Sequence, residues 1–259
     1  MIDIGADLTS NRFPDLPAVL RRARDADIQK IIVNGSSILK SQAALKLTQD
    51  YSGYLYCTAG IHPYNAKDNF DLTDQTKFKD IASQSQVVAI GECGLDYTKP
   101  LLEVQRSIFH HQLKVAQELN KPVLLHERDA FSDFISIVRQ YPVSGIVHCF
   151  TGNRQQMETY LKSGYYIGIT GWVTDPRRSA YVKSVIKHLP LDRLLLESDA
   201  PFMKPFNMTS SSQRNEPAFL KYVVSELSSI TGHSEDEIRK ASTDNAVKIF
   251  SLSKETHKL

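Results

Sequence analysis

Cysteine is scarce in this chain, with three residues, Cys57, Cys93 and Cys149, among 259. An odd number cannot pair off completely, and their spacing matches no zinc knuckle or ribbon. Each lies in or just after an apolar run, where a free thiol packs as a small hydrophobe, so a reduced, intracellular chain is expected. Long hydrophobic runs are also missing. No stretch approaches the ~18 apolar residues that cross a bilayer, and Met1-Ile2-Asp3-Ile4-Gly5 lacks the basic and then apolar regions of a signal peptide. The expectation is a cytoplasmic protein with no membrane partner. Excess charge is lacking as well. A net charge of +2 is too balanced for a protein that grips long duplex nucleic acid by a basic stripe alone.

Several signatures are absent. No Gly-x-Gly-x-x-Gly follows an apolar run and no phosphate loop is present, which argues against the nucleotide-binding open sheets and against a phosphotransferase. No Gly-x-Ser-x-Gly elbow supports a serine hydrolase. There is no internal repeat and no linker, so residues 1–259 are expected to form a single domain. The 41% hydrophobic and 23% charged composition suits a globule with a sizeable core.

What is present is alternation. Eight short apolar runs recur along the chain: Ile2–Ile4, Lys30–Val33, Leu55–Gly60, Val87–Ile90, Val123–Leu125, Gly145–Val147, Tyr165–Ile169 and Leu194–Leu196. They are continuous rather than alternating, as strands buried on both faces are. Amphipathic segments separate them. Leu16, Val19, Leu20 and Ala23 share one helical face, as do Phe109, Leu113 and Ala116 on a helix that should stop before Pro122. Ser234 and Glu237 make a capping box before Ile238. Eight strands each followed by a helix predict an α/β fold of the (β/α)8 TIM-barrel type, at a length (about 250 residues) typical of it. Segments 65–71 and 203–215 read as loops.

The polar residues that close these runs carry the chemistry. His62 follows the third run, Glu92 the fourth, His126 the fifth, His148 the sixth and Asp199 the eighth, while the first ends near Asp7. In a barrel all strand C-termini open on one face, so these side chains should converge. Imidazole and carboxylate are the usual ligands of a catalytic divalent ion. A lone histidine beside a strand is more often a hydrogen-bonded core residue, and Asp199 before Ala200-Pro201 could be a turn cap. Several such residues at one end of successive strands are not needed by core packing. Arg128, Arg154, Arg177, Arg178 and Arg214 fall in or near the following loops, where they would receive an anionic substrate, and Trp172 and Tyr97 could stack an unpaired base. His110, His111, His188, His233 and His257 have no partner signal. Cys93 and Cys149 read as packing residues rather than nucleophiles.

The segments Asp3–Thr9, Gly60–Pro63, Ala89–Asp96, His126–Asp129, His148–Gly152, Tyr166–Trp172, Glu197–Pro201 and Arg214–Pro217 together resemble the TatD family of metal-dependent deoxyribonucleases over essentially the whole chain. The resemblance implies metal ligands at Glu92, His126, His148 and Asp199 with His62 close by. It also implies Mg2+- or Mn2+-dependent cleavage of DNA, with 3′-to-5′ exonuclease action on single strands and a role in DNA repair or turnover. Many members begin Asp-x-His-x-His, whose histidines bind another metal. Here those positions are Gly5 and Asp7, as in a subgroup that also lacks the histidines, leaving Asp7 as the side chain for a weak second ion.

The expected mechanism follows. A divalent ion (Mg2+ first, Mn2+ or Zn2+ as alternatives) supplies the nucleophile and charge neutralisation. Glu92, Asp199 and His62 are the catalytic candidates: Asp199 takes the water proton, and His62 contacts the phosphate or the leaving oxygen. His62, Arg128, Arg154 and Arg214 bind the substrate, single-stranded DNA or RNA, and a monomer is expected. The alternatives are a barrel metallohydrolase acting on an amide, lactone or ester bond, and a non-catalytic nucleic-acid- or protein-binding relative.

Overall fold

A computed structural model describes residues 1–66, 71–177, 179–208, 212 and 214–253. Arg178, His257 and parts of the loops expected at 65–71 and 203–215 lie outside the described residues. All eight expected strands form: β1 (Ile2–Ala6), β2 (Lys30–Val33), β3 (Leu55–Ala59), β4 (Val87–Asp96), β5 (Val123–Arg128), β6 (Gly145–Val147), β7 (Tyr166–Ile169) and β8 (Leu194–Leu196). Helices follow them: α1 (Leu16–Asp25), α2 (Ile38–Asp50), α3 (Leu72–Ala82), α4 (Leu102–Leu119), α5 (Phe131–Val138), α6 (Arg154–Lys162), α7 (Ser179–Ile186), α8 (Leu220–Thr231) and α9 (Glu235–Ile249). The eight strands form one sheet in the order β1 to β8, and a parallel bridge between Ala6 and Ala200 joins the chain just beyond β8 back to β1. This is the (β/α)8 barrel class.

Contacts divide the chain into two compact units, Met1–Ile32 with His148–Leu259, and Val33–Val147. In the first, β7 and β8 pair in parallel from Ile167↔Leu194 to Ile169↔Leu196. Asp199 N–H donates to the Gly5 carbonyl (2.8 Å) and Asp7 N–H to the Ala200 carbonyl (2.7 Å), which fixes the chain just after β1 and β8. The helix announced by the Ser234–Glu237 capping box is α9, and both halves of the box form. Its Ser242 hydroxyl accepts from Leu196 N–H (3.0 Å), and Asn245 donates to the Leu191 and Leu194 carbonyls (2.8 and 2.9 Å), so α9 is bonded to the strand that leads into Glu197 and Asp199.

In the second unit β3, β4, β5 and β6 run in parallel. β4 and β5 are longer than their apolar runs: Glu92, His126 and Arg128 lie within strands rather than just past them. Between Ile90↔Val123 and Cys93↔Leu125, β4 takes three steps while β5 takes two. The extra residue is a bulge, a device that re-aims a side chain, and Glu92 sits in it. Gly91, at φ 147°, makes the bulge: a Cβ there would strike the Leu124 carbonyl.

Helix α4 holds two strand ends in place. Its buried face carries Ile108, Phe109, Leu113 and Ala116, and also Gln105 and Gln112, both buried. Gln112 accepts from Ile61 N–H (2.7 Å) and donates to the Ile61 carbonyl (3.0 Å), beside His62. Gln105 does the same for Asp96, accepting from its N–H (2.9 Å) and donating to its carbonyl (3.0 Å). Buried backbone groups must find partners, and these two amides satisfy four of them.

Candidate metal centre

Within the second unit, His62 caps the short 3-10 turn Pro63–Asn65, its Nδ1 accepting from Tyr64 N–H (3.1 Å). The neutral ring therefore carries its proton on Nε2, and that nitrogen faces Glu92 Oε2 at 3.7 Å. Both residues are buried. Asn34 Nδ2 donates to the other Glu92 oxygen (2.5 Å), and the Glu92 N–H donates to the Gly35 carbonyl (3.0 Å). The His62 and His126 rings meet edge-on with centroids 4.3 Å apart.

His126 has a carboxylate behind it. Its Nε2 is 3.4 Å from Asp96 Oδ2, and Asp96 has no exposed surface. Burial works to raise the Asp96 pKa, but hydrogen bonds from His126 and from Thr98 (N–H 2.9 Å, hydroxyl 2.5 Å) outweigh it and hold the carboxyl well below the usual range.

The first unit repeats the arrangement. His148, directly after β6, presents Nδ1 to Glu197 Oε2 at 3.5 Å, and Glu197 has no exposed surface. The other Glu197 oxygen accepts the Cys149 N–H. Gly168 on β7 makes room for this, because a Cβ there would lie 2.7 Å from Glu197 Oε1 and 3.2 Å from the His148 Cα. Beneath lies Asp3, also fully buried, which accepts from the Ser198 hydroxyl (2.6 Å), Ser198 N–H (2.8 Å) and Gly5 N–H (3.2 Å). Burial pushes the Asp3 carboxyl up to about 7 against those hydrogen bonds, and the Glu197 charge adds to the rise. Asp199 is partly exposed, with a left-handed backbone at φ 52°. Asp7 accepts from the Thr9 hydroxyl (2.7 Å).

Among the described residues, Glu92, His148 and Asp199 each offer one ligand atom, all within 4.8 Å of one another. Two carboxylates and an imidazole suit a divalent ion. The pattern behind the histidines suits one too, since a ligating histidine normally gives its other ring N–H to a carboxylate. His126, expected as a fourth ligand, is not in that group. Asp96, Glu197 and Asn34 were not singled out from the sequence, although the first two stand within four residues of Glu92 and Asp199.

The arginines fall out differently. Arg128, at the end of β5, is exposed. Arg154 is exposed on the first turn of α6, bonded to Glu158 (2.8 Å). Arg177 forms a fork on Asp175 (2.7 to 3.2 Å). Arg214 donates to the Arg12 carbonyl (2.7 Å), to Asp15 and to Glu216 (3.1 Å), and stacks on Phe13. Of the expected stacking residues, Tyr97 donates to Asp133 and carries Arg106 over its ring, and Trp172 is partly buried. All three cysteines are free thiols, and burial raises the Cys93 thiol, with the Glu92 charge adding to it, away from nucleophile chemistry. His110 bonds the Tyr141 hydroxyl (2.8 Å).

A protein of Erwinia billingiae (strain Eb661) described as "3'-5' ssDNA/RNA exonuclease TatD" is 40% identical over 260 residues, covering 97% of this chain and 99% of that one. The crystal structure of YjjV, a TatD homolog from Escherichia coli K12, superposes with a TM-score of 0.89 at 31% identity, covering 98% of both chains. A TatD family hydrolase from Entamoeba histolytica gives 0.88 at 24% identity over 98% of each, which speaks for the fold. The family described as TatD related DNase matches residues 2–251. With that match running through every strand and every residue of the candidate centre, this chain belongs to the TatD related DNase family.

Proposed function

We propose that this protein is a metal-dependent nuclease that hydrolyses phosphodiester bonds of single-stranded DNA and RNA from the 3′ end. The observation that carries the reading is the group Glu92, His148 and Asp199, whose ligand atoms lie within 4.8 Å of one another. The relatives' described activity supports the substrate and the polarity. In this reading those three residues hold one divalent ion, Mg2+ in preference to Mn2+ or Zn2+. His126 completes the set from the nitrogen not turned to Asp96, and Asp7 is the carboxylate left for a weaker second ion. When bound, such an ion supplies a nucleophile from water at neutral pH and positive charge for the phosphoryl oxygens.

The chain's own residues do the rest. Asp199, partly exposed, accepts the water proton. His62 is fixed by Tyr64 N–H with its proton on Nε2, so it donates to a phosphate oxygen or to the leaving oxygen. Asp96 and Glu197 keep the two histidines in one orientation each. Arg128 sets a charge against the phosphate backbone, and Arg154, on the exposed surface, acts only at longer range. Arg214 is left out, because its donors are committed to Asp15, Glu216 and the Arg12 carbonyl. No helix among the described residues is long and apolar enough to cross a membrane. The same reading makes the protein a cytoplasmic monomer that serves DNA repair or turnover.

The test is a single-stranded DNA, and the matching RNA, labelled at either end and incubated with Mg2+, with Mn2+ or with chelator. A 3′ label should leave as mononucleotide at once, a 5′ label should give a shrinking ladder, and chelator should stop both. Intact strands under every metal condition would refute the reading.

A further inference from the structure

Tyr64 is 51% exposed, one of six exposed large hydrophobic side chains among the described residues, yet the backbone that carries it is tightly fixed. The turn that carries it is closed by four hydrogen bonds: Tyr64 N–H to His62 Nδ1 (3.1 Å), Asn65 N–H to the His62 carbonyl (2.8 Å), Ala66 N–H to the Pro63 carbonyl (3.1 Å) and the Asn65 amide to the Ser36 carbonyl (2.7 Å). Pro63 is buried beneath it and restricts the backbone further. The ring stands edge-on to His62 at 4.6 Å and to His126 at 6.2 Å between centroids. The exposed Lys99 places its ammonium 4.5 Å from the ring centroid. The hydroxyl faces Asp96 and Arg128.

We infer that Tyr64, with Lys99 and Arg128, forms a nucleotide subsite beside His62 and His126, in which the tyrosine ring stacks an unpaired base and the two cations take the neighbouring phosphate. This inference rests on the nuclease reading. A rigid, exposed aromatic ring flanked by cations is what sequence-tolerant single-strand binding uses, because every base has a π-face and every link a negative charge. The Lys99 ammonium now covers the ring face. A base that takes that face leaves the ammonium free to pair with the phosphate attached to it, so the cation–π contact is exchanged for an ion pair and the face is not left bare. A base inside a duplex already has both faces covered, so the subsite discriminates against paired ends. Stacking does not read the 2′-hydroxyl, so DNA and RNA are treated alike.

The experiment compares wild type, Tyr64→Ala and Tyr64→Phe on a single-stranded DNA and on the same strand with one abasic residue at each of the last three 3′ positions in turn. Removing a stacking aromatic costs roughly 5- to 100-fold per base. Tyr64→Ala should raise KM by that factor with kcat within about twofold, Tyr64→Phe should keep the wild-type dependence on abasic position, and the Tyr64→Ala penalty should vanish with the abasic residue at one position only. Binding of the same strands by fluorescence anisotropy in chelator reads the subsite without turnover, and there Lys99→Ala should flatten the slope of log Kd against log salt by about 0.7. Unchanged KM and Kd in Tyr64→Ala, or a penalty equal on every abasic strand, would overturn the inference. Tyr64-dependent binding by a wild type that cleaves nothing would support the subsite and remove the nuclease reading instead.

Discussion

Oε2 of Glu197 lies 3.5 Å from Nδ1 of His148, with the carboxylate fully buried at the end of β8. A charge in that position needs a partner, and the imidazole is the donor on hand. In the proposed centre this approach, closing to a hydrogen bond, would orient the ring and leave Nε2 to the metal, the same role Asp96 would have for His126. Glu197→Gln keeps the shape and can still accept the Cys149 N–H, but its amide then points a donor at a donor. The variant should remain folded and need about 10- to 100-fold more Mg2+ or Mn2+ for half-maximal cleavage. A metal titration of activity, with calorimetry of metal binding alongside, reads this directly. An unchanged metal requirement would mean that Glu197 does not orient the ring.

In the proposed centre Glu92 and Asp199 differ from Glu197 in that their own oxygens would hold the ion. Removing either should act on rate as well as on metal affinity. Glu92→Ala and Asp199→Asn should each lower kcat on single-stranded DNA by roughly 100- to 1,000-fold, the usual cost of one charge-stabilising group. Circular dichroism should be unchanged. Near-normal rates with saturating metal in either variant would end the assignment of these two residues.

Much of this is legible in the amino-acid sequence. The eight strands showed because strands buried on both faces are written as uninterrupted apolar runs. The extension of β4 through Glu92 to Asp96 did not show, because a bulge lets polar residues continue a strand, and Gly91 was its only trace. Gln105 and Gln112 were readable in principle: seven apart, on the same helical stripe as Ile108, Phe109, Leu113 and Ala116, they are polar residues where only a buried partner makes sense. Glu197 gave the same signal, a carboxylate placed directly after Leu194–Leu196. Which ring each backing carboxylate faces is a matter of neighbouring strands, and one strand's sequence does not contain it. The role of Arg214 was hidden by distance, since its partner Asp15 is 199 positions away.

Asp3 titrates where its environment puts it, near 7 when folded and near 3.8 when unfolded. Between those values the unfolded chain has released a proton that the folded chain keeps, so rising pH favours unfolding. The stabilisation is full below about pH 4, declines towards pH 7 and is flat above, at most about 4 kcal/mol for this one group. Asp3→Asn mimics the protonated acid: its oxygen still accepts the Ser198 and Gly5 N–H groups, and its amide can donate to the Ser198 hydroxyl. In chelator, urea unfolding across pH 4 to 8 should therefore show the variant gaining on wild type as pH rises. A constant difference between the two across that range would show that Asp3 is ionised throughout.

Arg214 was expected to meet substrate, and its surroundings now predict a different phenotype. Glu216 is buried and accepts from two arginines, Arg22 through a fork of 2.8 Å bonds and Arg214 at 3.1 Å, while both arginines also reach Asp15. This network joins the start of α1 to the segment leading into α8, across a stretch where Pro217–Phe219 packs against α1. Deleting one cation leaves a buried carboxylate with half its donors, a cost that falls on the fold. Arg214→Ala should therefore lower Tm by about 5 °C and leave KM for single-stranded DNA within about twofold at a temperature where both forms are folded. Arg128→Ala, on an exposed strand end with the Tyr64 hydroxyl beside it, should do the reverse, raising KM and flattening its salt dependence while Tm holds. If Arg214→Ala instead raised KM at constant Tm, this guanidinium would belong to the substrate site after all.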